Sequence, residues 1–298
     1  QRHTVFTWIK VSIQAEIDMV ESLHAVFYQN GFLHLFISDL FEKNGKQWFE
    51  IATYILQDDK FPQRKAKLLQ DIWHLQAFDL CEIAEARFSA VKDPAADIDA
   101  TNNLTIFWAT DTIGIKLSDS EGPTEALPRG AAIISISPGQ AFGLGIHPST
   151  HLSIKALEVH SKPHMSILDV GTGSGILAIT AAKLGSEHIV AIDIDEKIIT
   201  GTQRNIDMNG CTDQISLHHA SVSDISKQFD LVIANLSASI IIMNSKYLIR
   251  QLKPRGTLIV SGFLETQVHE IQRAVPQLTQ VDEYQEHAWK ALVFQAPN

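Results

Sequence analysis

At 298 residues the chain exceeds one average domain, and its 45% hydrophobic and 19% charged content supplies a sizeable core and excludes a disordered polymer. The formal charge of −10 argues against a general nucleic-acid binder, whose footprint is basic, and fits a basic protein partner. No apolar run approaches the roughly 18 residues of a membrane span, Gln1 to Val11 do not read as a secretory signal, and Cys81 and Cys211 match no metal or redox spacing. The expectation is a cytoplasmic protein that works without a membrane. Two histidine pairs, His147 with His151 and His160 with His164, have helical spacing. No Glu follows the first His as a zinc-protease motif requires, so no metal is expected.

Residues 1–88 alternate strand-like and helix-like segments. Val5 to Ile13 alternates apolar and polar, and Ile17 to Asn30 has helical spacing with Gly31 as its stop. Phe32 to Ile37 and Trp48 to Leu56 read as strands, Pro62 opens a lysine-rich helix to about Gln76, and Leu80 to Phe88 reads as a last strand. The order βαββαβ predicts a ferredoxin-like α+β domain. Residues 89–130 are rich in turn signals and read as a junction, with one strand candidate at Ile113 to Leu117. Residues 131–298 form the second domain. There Ile167-Leu168, Ile189 to Ile194, Leu231 to Ala234 and Leu258 to Val260 are continuous apolar runs separated by helices or loops. Such runs predict a parallel sheet covered on both faces, a Rossmann-like α/β fold that binds ligands beyond the carboxyl ends of its strands.

The first of these strands ends in Asp169-Val170-Gly171-Thr172-Gly173-Ser174-Gly175 and leads at once into a helix. Glycines here let the backbone turn tightly and bring a ligand to the helix N-terminus. A dinucleotide fingerprint needs its third glycine where Ile176 stands, and a phosphate-binding loop needs a Lys that is absent, so NAD, FAD and nucleoside triphosphates fit poorly. Asp193 closes the next strand, about 20 residues further on, where a carboxylate can accept both hydroxyls of a ribose. Its neighbour Asp195 reads better as a helix N-cap. Asn235 closes the strand beginning at Asp230, where an amide either contacts a ligand or closes a turn. Upstream, Ala141 to Thr150 places Gly143 and Gly145 before a helix whose Pro148 suits the first turn.

Taken together, Ser137 to Thr150, Ile167 to Gly210, Val232 to Leu236, Leu252-Lys253-Pro254 and Ser261 to Glu265 resemble, in order and spacing, the PrmA-type ribosomal protein methyltransferases, which methylate large-subunit ribosomal protein eleven. The resemblance implies a class I methyltransferase sheet, S-adenosylmethionine as methyl donor, and an amino-terminal ferredoxin-like domain that recruits the protein substrate. It places Thr150, Gly171, Asp193 and Asn235 at the cofactor, and the glycine turn read above adds Gly173 and Gly175 as expected cofactor contacts. Asn235 is the residue it assigns to the catalytic step, as a positioning group, and no dedicated base is identified. The implied activity is N-methylation of lysine side chains or the N-terminus of a ribosomal protein by a monomer that makes no direct nucleic-acid contact. Two other readings stay open: methylation of another protein or a small molecule, and a cofactor-binding module without turnover. The family loop usually reads Gly-Thr-Gly-Thr-His, whereas this chain carries Leu144 and Ile146, which are expected to form an apolar collar over the donor or to pack in the domain junction.

Overall fold

The computed structural model describes residues 8–32, 35–38, 40–78, 81–91, 107–117, 130–137, 145 and 147–298. They fall into two compact units, with residues up to 91 in the first and those from 107 in the second.

The first unit contains β1 (Trp8–Glu16), α1 (Val20–Gln29), β2 (Leu35–Ile37), β3 (Phe41–Lys43), β4 (Lys46–Leu56), α2 (Phe61–Phe78) and β5 (Arg87–Val91). The antiparallel order β2-β4-β1-β5 is the ferredoxin-like arrangement, with β3 added as a hairpin partner of β4. The β3–β4 turn is Asn44-Gly45, with φ of 54° and 73°, the two positive angles that a two-residue hairpin turn requires. This hairpin is not among the expected elements, although Asn-Gly is its sequence signal. Val11, Ile13, Leu23, Phe27, Phe49, Ile51, Leu68 and Ile72 are buried and form the core under the two helices.

The last strand starts at Arg87, later than expected. Ser12 pairs with Arg87, but Ala15 pairs with Ile83, and these two pairings differ in register by one residue. A one-residue slip breaks a ladder, so 82–84 bonds to β1 only irregularly, through Glu16 N–H to Glu82 and Ala84 N–H to Gln14. The expected strand residues Val5 and Leu80 lie outside the described residues.

The second unit opens with a three-stranded sheet, β6 (Phe107–Trp108), β7 (Ile113–Leu117) and β8 (Ala132–Ile136), in which β7 and β8 are parallel. Ile113 and Ile115 of β7 are buried in one cluster with Ile134, Ile154 and Ile176. The strand candidate of the expected junction is therefore a core element of this unit, because its apolar face has a partner here. β5, also beyond the expected boundary at Phe88, pairs with β1 in the first unit.

There follow α3 (Pro148–His160), β9 (Ser166–Val170), α4 (Ile176–Lys183), β10 (His188–Asp193), α5 (Glu196–Met208), β11 (Ile215–His219), β12 (Phe229–Asn235), α6 (Ala238–Arg250), β13 (Leu252–Leu264), α7 (Val268–Ala274), β14 (Thr279–Glu286) and β15 (Trp289–Gln295). The main sheet runs β11-β10-β9-β12-β13-β15-β14. β11 to β13 are parallel, and β15 is antiparallel to both its neighbours. Every residue of β9 is buried, as a central strand covered on both faces demands. The chain order reverses between β9 and β12, which puts the ligand crevice of this sheet beyond Val170 and Asn235.

Candidate functional site

The turn after β9 is held by main-chain bonds: Gly171 N–H and Thr172 N–H both donate to the Ile192 carbonyl at 2.9 Å, tying the turn to the end of β10. Gly171 and Gly173 have φ of 72° and 53°. A Cβ at Gly171 would stand 2.5 Å from Leu236 Cδ2, so the tips of β9 and β12 touch there. Asp193 joins the same turn. Its Oδ2 accepts from Gly173 N–H at 3.1 Å and its Oδ1 from Asp195 N–H at 3.0 Å. Asp195 caps α5 by accepting from Lys197 N–H, so the two neighbouring carboxylates have separate tasks. Gly175, with φ of 86°, is different: a Cβ there would meet Thr202 and Ile206 of α5, and its N–H donates to Thr172. Both the positive φ and the packing against α5 call for glycine at this position.

Asn235 ends β12 and donates from Nδ2 to Thr150 Oγ1 at 3.4 Å, which joins two residues far apart in sequence. Thr150 lies in the first turn of α3, anchored by Ser261 Oγ donating to the Ser149 carbonyl at 3.0 Å. His147 is the N-cap, its Nδ1 accepting from Ser149 N–H, and its ring stands edge-on to Trp289 at 4.5 Å. Pro148 occupies the first turn as its fixed φ favours. Leu144 and Ile146 lie outside the described residues.

In the sequence Asp169 is visible only as part of the glycine motif, and the structure gives it a task. It is 1% exposed at the end of β9. Its Oδ2 accepts from Thr172 Oγ1 at 2.6 Å and from Ala178 N–H at 3.2 Å, while its buried Oδ1 has no hydrogen-bond partner among the described residues. Burial pushes its pKa up to about 6 and the nearby Asp193 charge adds to this, against the two hydrogen bonds. A raised pKa means that the folded state holds the proton more tightly than the unfolded chain. Asp169 therefore contributes stability that is fully present below about pH 4 and lost as the pH rises through about 6. In urea titrations the stability of wild type relative to Asp169→Asn should fall across that window, and a difference that stayed flat or grew with pH would contradict the assignment.

The arrangement fits a nucleoside carrying a cationic tail. One carboxylate stands at a strand tip, a glycine turn lets the backbone approach, and a buried acidic oxygen lacks a donor among the described residues. No basic side chain takes part in these contacts, as a phosphate ligand would need.

Comparison with known proteins bears on the same region. The sequence profile of the family described as Ribosomal protein L11 methyltransferase (PrmA) matches residues 7–297. A Ribosomal protein L11 methyltransferase of Geobacter sp. (strain M21) is 29% identical, over 97% of this chain and 98% of its own. Another, of Bacillus cereus (strain G9842), is 32% identical over 91% and 92%. Among solved structures, the ribosomal protein L11 methylase of Lactobacillus delbrueckii subsp. bulgaricus superposes with a TM-score of 0.59 at 27% identity, over 65% of this chain and 98% of that one.

Proposed function

Because the chain belongs to the ribosomal protein L11 methyltransferase (PrmA) family, we propose that it transfers methyl groups to amino groups, lysine side chains or the N-terminus, of ribosomal protein L11. The chain is an S-adenosylmethionine-dependent protein methyltransferase. The observation that carries the residue assignment is the meeting of four segments at the carboxyl edge of the sheet: the Gly173–Asp193 hydrogen bond joins the turn after β9 to β10, the Asn235–Thr150 bond joins β12 to α3, and Leu236 lies against Gly171.

The donor supplies a methyl on a positively charged sulfur, an already activated leaving group. What remains for the protein is alignment, exclusion of water and delivery of a neutral amine. Asp193 would accept the ribose hydroxyls, because each of its oxygens keeps a lone pair beyond its main-chain bond. Gly171 and Gly173 would admit the ligand close to the backbone. Thr150 and Asn235 would fix the end that carries the methyl. Asn235 has no basicity, so it positions and takes no proton. An ordinary lysine is neutral in only about one molecule in a few thousand at pH 7, and desolvation of the amine on entry lowers that barrier.

The first unit is the proposed recruiting domain. On α2, Leu68 and Ile72 face the core, while Leu69 and Trp73 are 39% and 63% exposed. An exposed tryptophan on a helix is a common anchor in protein recognition. A cytoplasmic monomer that does not touch nucleic acid completes the proposal. Among the described residues no helix is long and apolar enough to cross a membrane. With purified ribosomal protein L11 and labelled donor, methyl groups should appear on the protein, and bound donor without transfer would remove L11 as substrate. Trp73→Ala should raise KM for the protein acceptor about tenfold or more with donor affinity unchanged. An unchanged KM would remove this face of α2 from recruitment.

A further inference from the structure

His147 and His151 lie four residues apart at the start of α3, and their hydrogen bonds require opposite protonation states. His147 Nδ1 accepts from Ser149 N–H, so that nitrogen carries no proton and the ring is neutral. Burial, with the charge of His151 second, takes its pKa down to about 4. His151 is 5% exposed, and both its nitrogens face acceptors: Nε2 is 3.0 Å from the Gly145 carbonyl and Nδ1 is 3.1 Å from Glu286 Oε1. A neutral imidazole donates only one N–H, so both bonds form only with the imidazolium. Glu286 is in the state to accept. Burial pushes its pKa up, but the hydrogen bond and charge of His151, with Lys155 and His287, outweigh that and hold the carboxyl below its usual range.

A cation in the first turn of a helix opposes the helix dipole, so this one needs its carboxylate. Glu286 ends β14 and Trp289 begins β15, so the tip of one hairpin holds both histidines. Among the described residues, the titratable groups around His151 include Glu286 and His287 on the hairpin side and His147 and Lys155 on its own helix. The contacts of the same turn with β12, β13 and β15 come from Asn235, Ser261 and Trp289, which do not titrate in this range.

We propose that His151 is a positioning residue: as an imidazolium between Gly145 and Glu286 it fixes the first turn of α3, and so sets Thr150 against Asn235 for the methyl donor. The proposal rests on the assignment of Thr150 and Asn235 to the donor. Donor affinity then depends on both bonds of His151: with either one removed, the turn that carries Thr150 loosens.

The test is titration calorimetry with S-adenosylmethionine at one pH on wild type, His151→Gln, Glu286→Gln and the double variant. Each single variant should lose about tenfold in donor affinity, and the double variant should lose little more than either, because both act through one contact. His151→Lys, which returns a cation beside Glu286, should recover part of the loss, a rescue that a merely structural role would not give. Melting temperatures confirm that the variants are folded, and Glu286→Gln tests the idea even if His151→Gln does not fold. Wild-type affinity in the folded single variants, or additive losses in the double variant, overturns the role of His151 alone. Absence of donor binding by wild type overturns the donor site and this proposal together.

Discussion

Asp193→Ala will weaken S-adenosylmethionine binding by about 100-fold or more while the protein stays folded. Hydrogen bonds to a charged group contribute about 1.5–3 kcal/mol each, and two ribose hydroxyls would lose their acceptors at once. The structure adds a second loss that the residue's position alone does not reveal. The same carboxylate holds Gly173 N–H at 3.1 Å and Asp195 N–H at 3.0 Å, so removing it also frees the glycine turn from β10. Asp193→Asn keeps one side-chain oxygen and should fall between wild type and alanine. Asp195→Ala is the control: it removes an N-cap, costs about 1 kcal/mol of stability, and should leave donor affinity nearly intact. If calorimetry reverses the two alanine variants, Asp195 is the ribose ligand and the assignment made here is wrong.

Gly262→Ala will be the most damaging single methyl in the second unit. Gly262 sits in β13 at the point where the register to β15 shifts, between the pairs Ser261–Ala291 and Phe263–Lys290, so it is the unpaired residue of a bulge. Its φ is 96°. A Cβ there would stand 2.5 Å from the Leu236 carbonyl oxygen and 2.9 Å from Asn235 Oδ1. The first neighbour is backbone and cannot rotate away, so either β13 or the end of β12 must move. Strain at positive φ costs on the order of 1–2 kcal/mol, and the clash should bring the total to about 3–5 kcal/mol, a drop of about 10 °C in Tm. Because the displaced residue is Asn235, the folded fraction should also lose donor affinity by about tenfold or more. Gly210→Ala provides the comparison, since Gly210 has φ of 66° with nothing within 4 Å and isolates the strain from the clash. Equal melting temperatures for the two variants would refute the close approach at Gly262.

What the sequence determined by itself is local or periodic. The Asp169-to-Gly175 turn could be read because a strand end, its glycines and the next helix follow one another within a few residues. The parallel core could be read because strands buried on both faces have no polar alternation. The two carboxylates Asp193 and Asp195 could be told apart because capping is decided by the next helical turn, and Asp195 does cap α5. The ferredoxin-like order came from alternation and helical spacing, and the Asn44-Gly45 hairpin was equally readable.

Only the tertiary structure decided the rest. β7 belongs to the second unit because its isoleucines find partners on β8 and α4, a fact that no pattern within Ile113 to Leu117 contains. Gly175 looks like its neighbouring glycines in sequence, yet it answers to Thr202 across α5. Gly262 needs to be glycine only because Leu236 and Asn235 arrive beside it. Glu286 and Trp289 sit on an edge hairpin with an ordinary alternating pattern, and their grip on His151 and His147 spans more than a hundred residues of chain. Periodicity reports which face of an element is buried, but the identity of the atoms waiting on that face is set by other segments. Protonation states, close approaches and hydrogen-bond partners depend on those atoms, so the chemistry of Asp169 and His151 emerges only when the chain has folded.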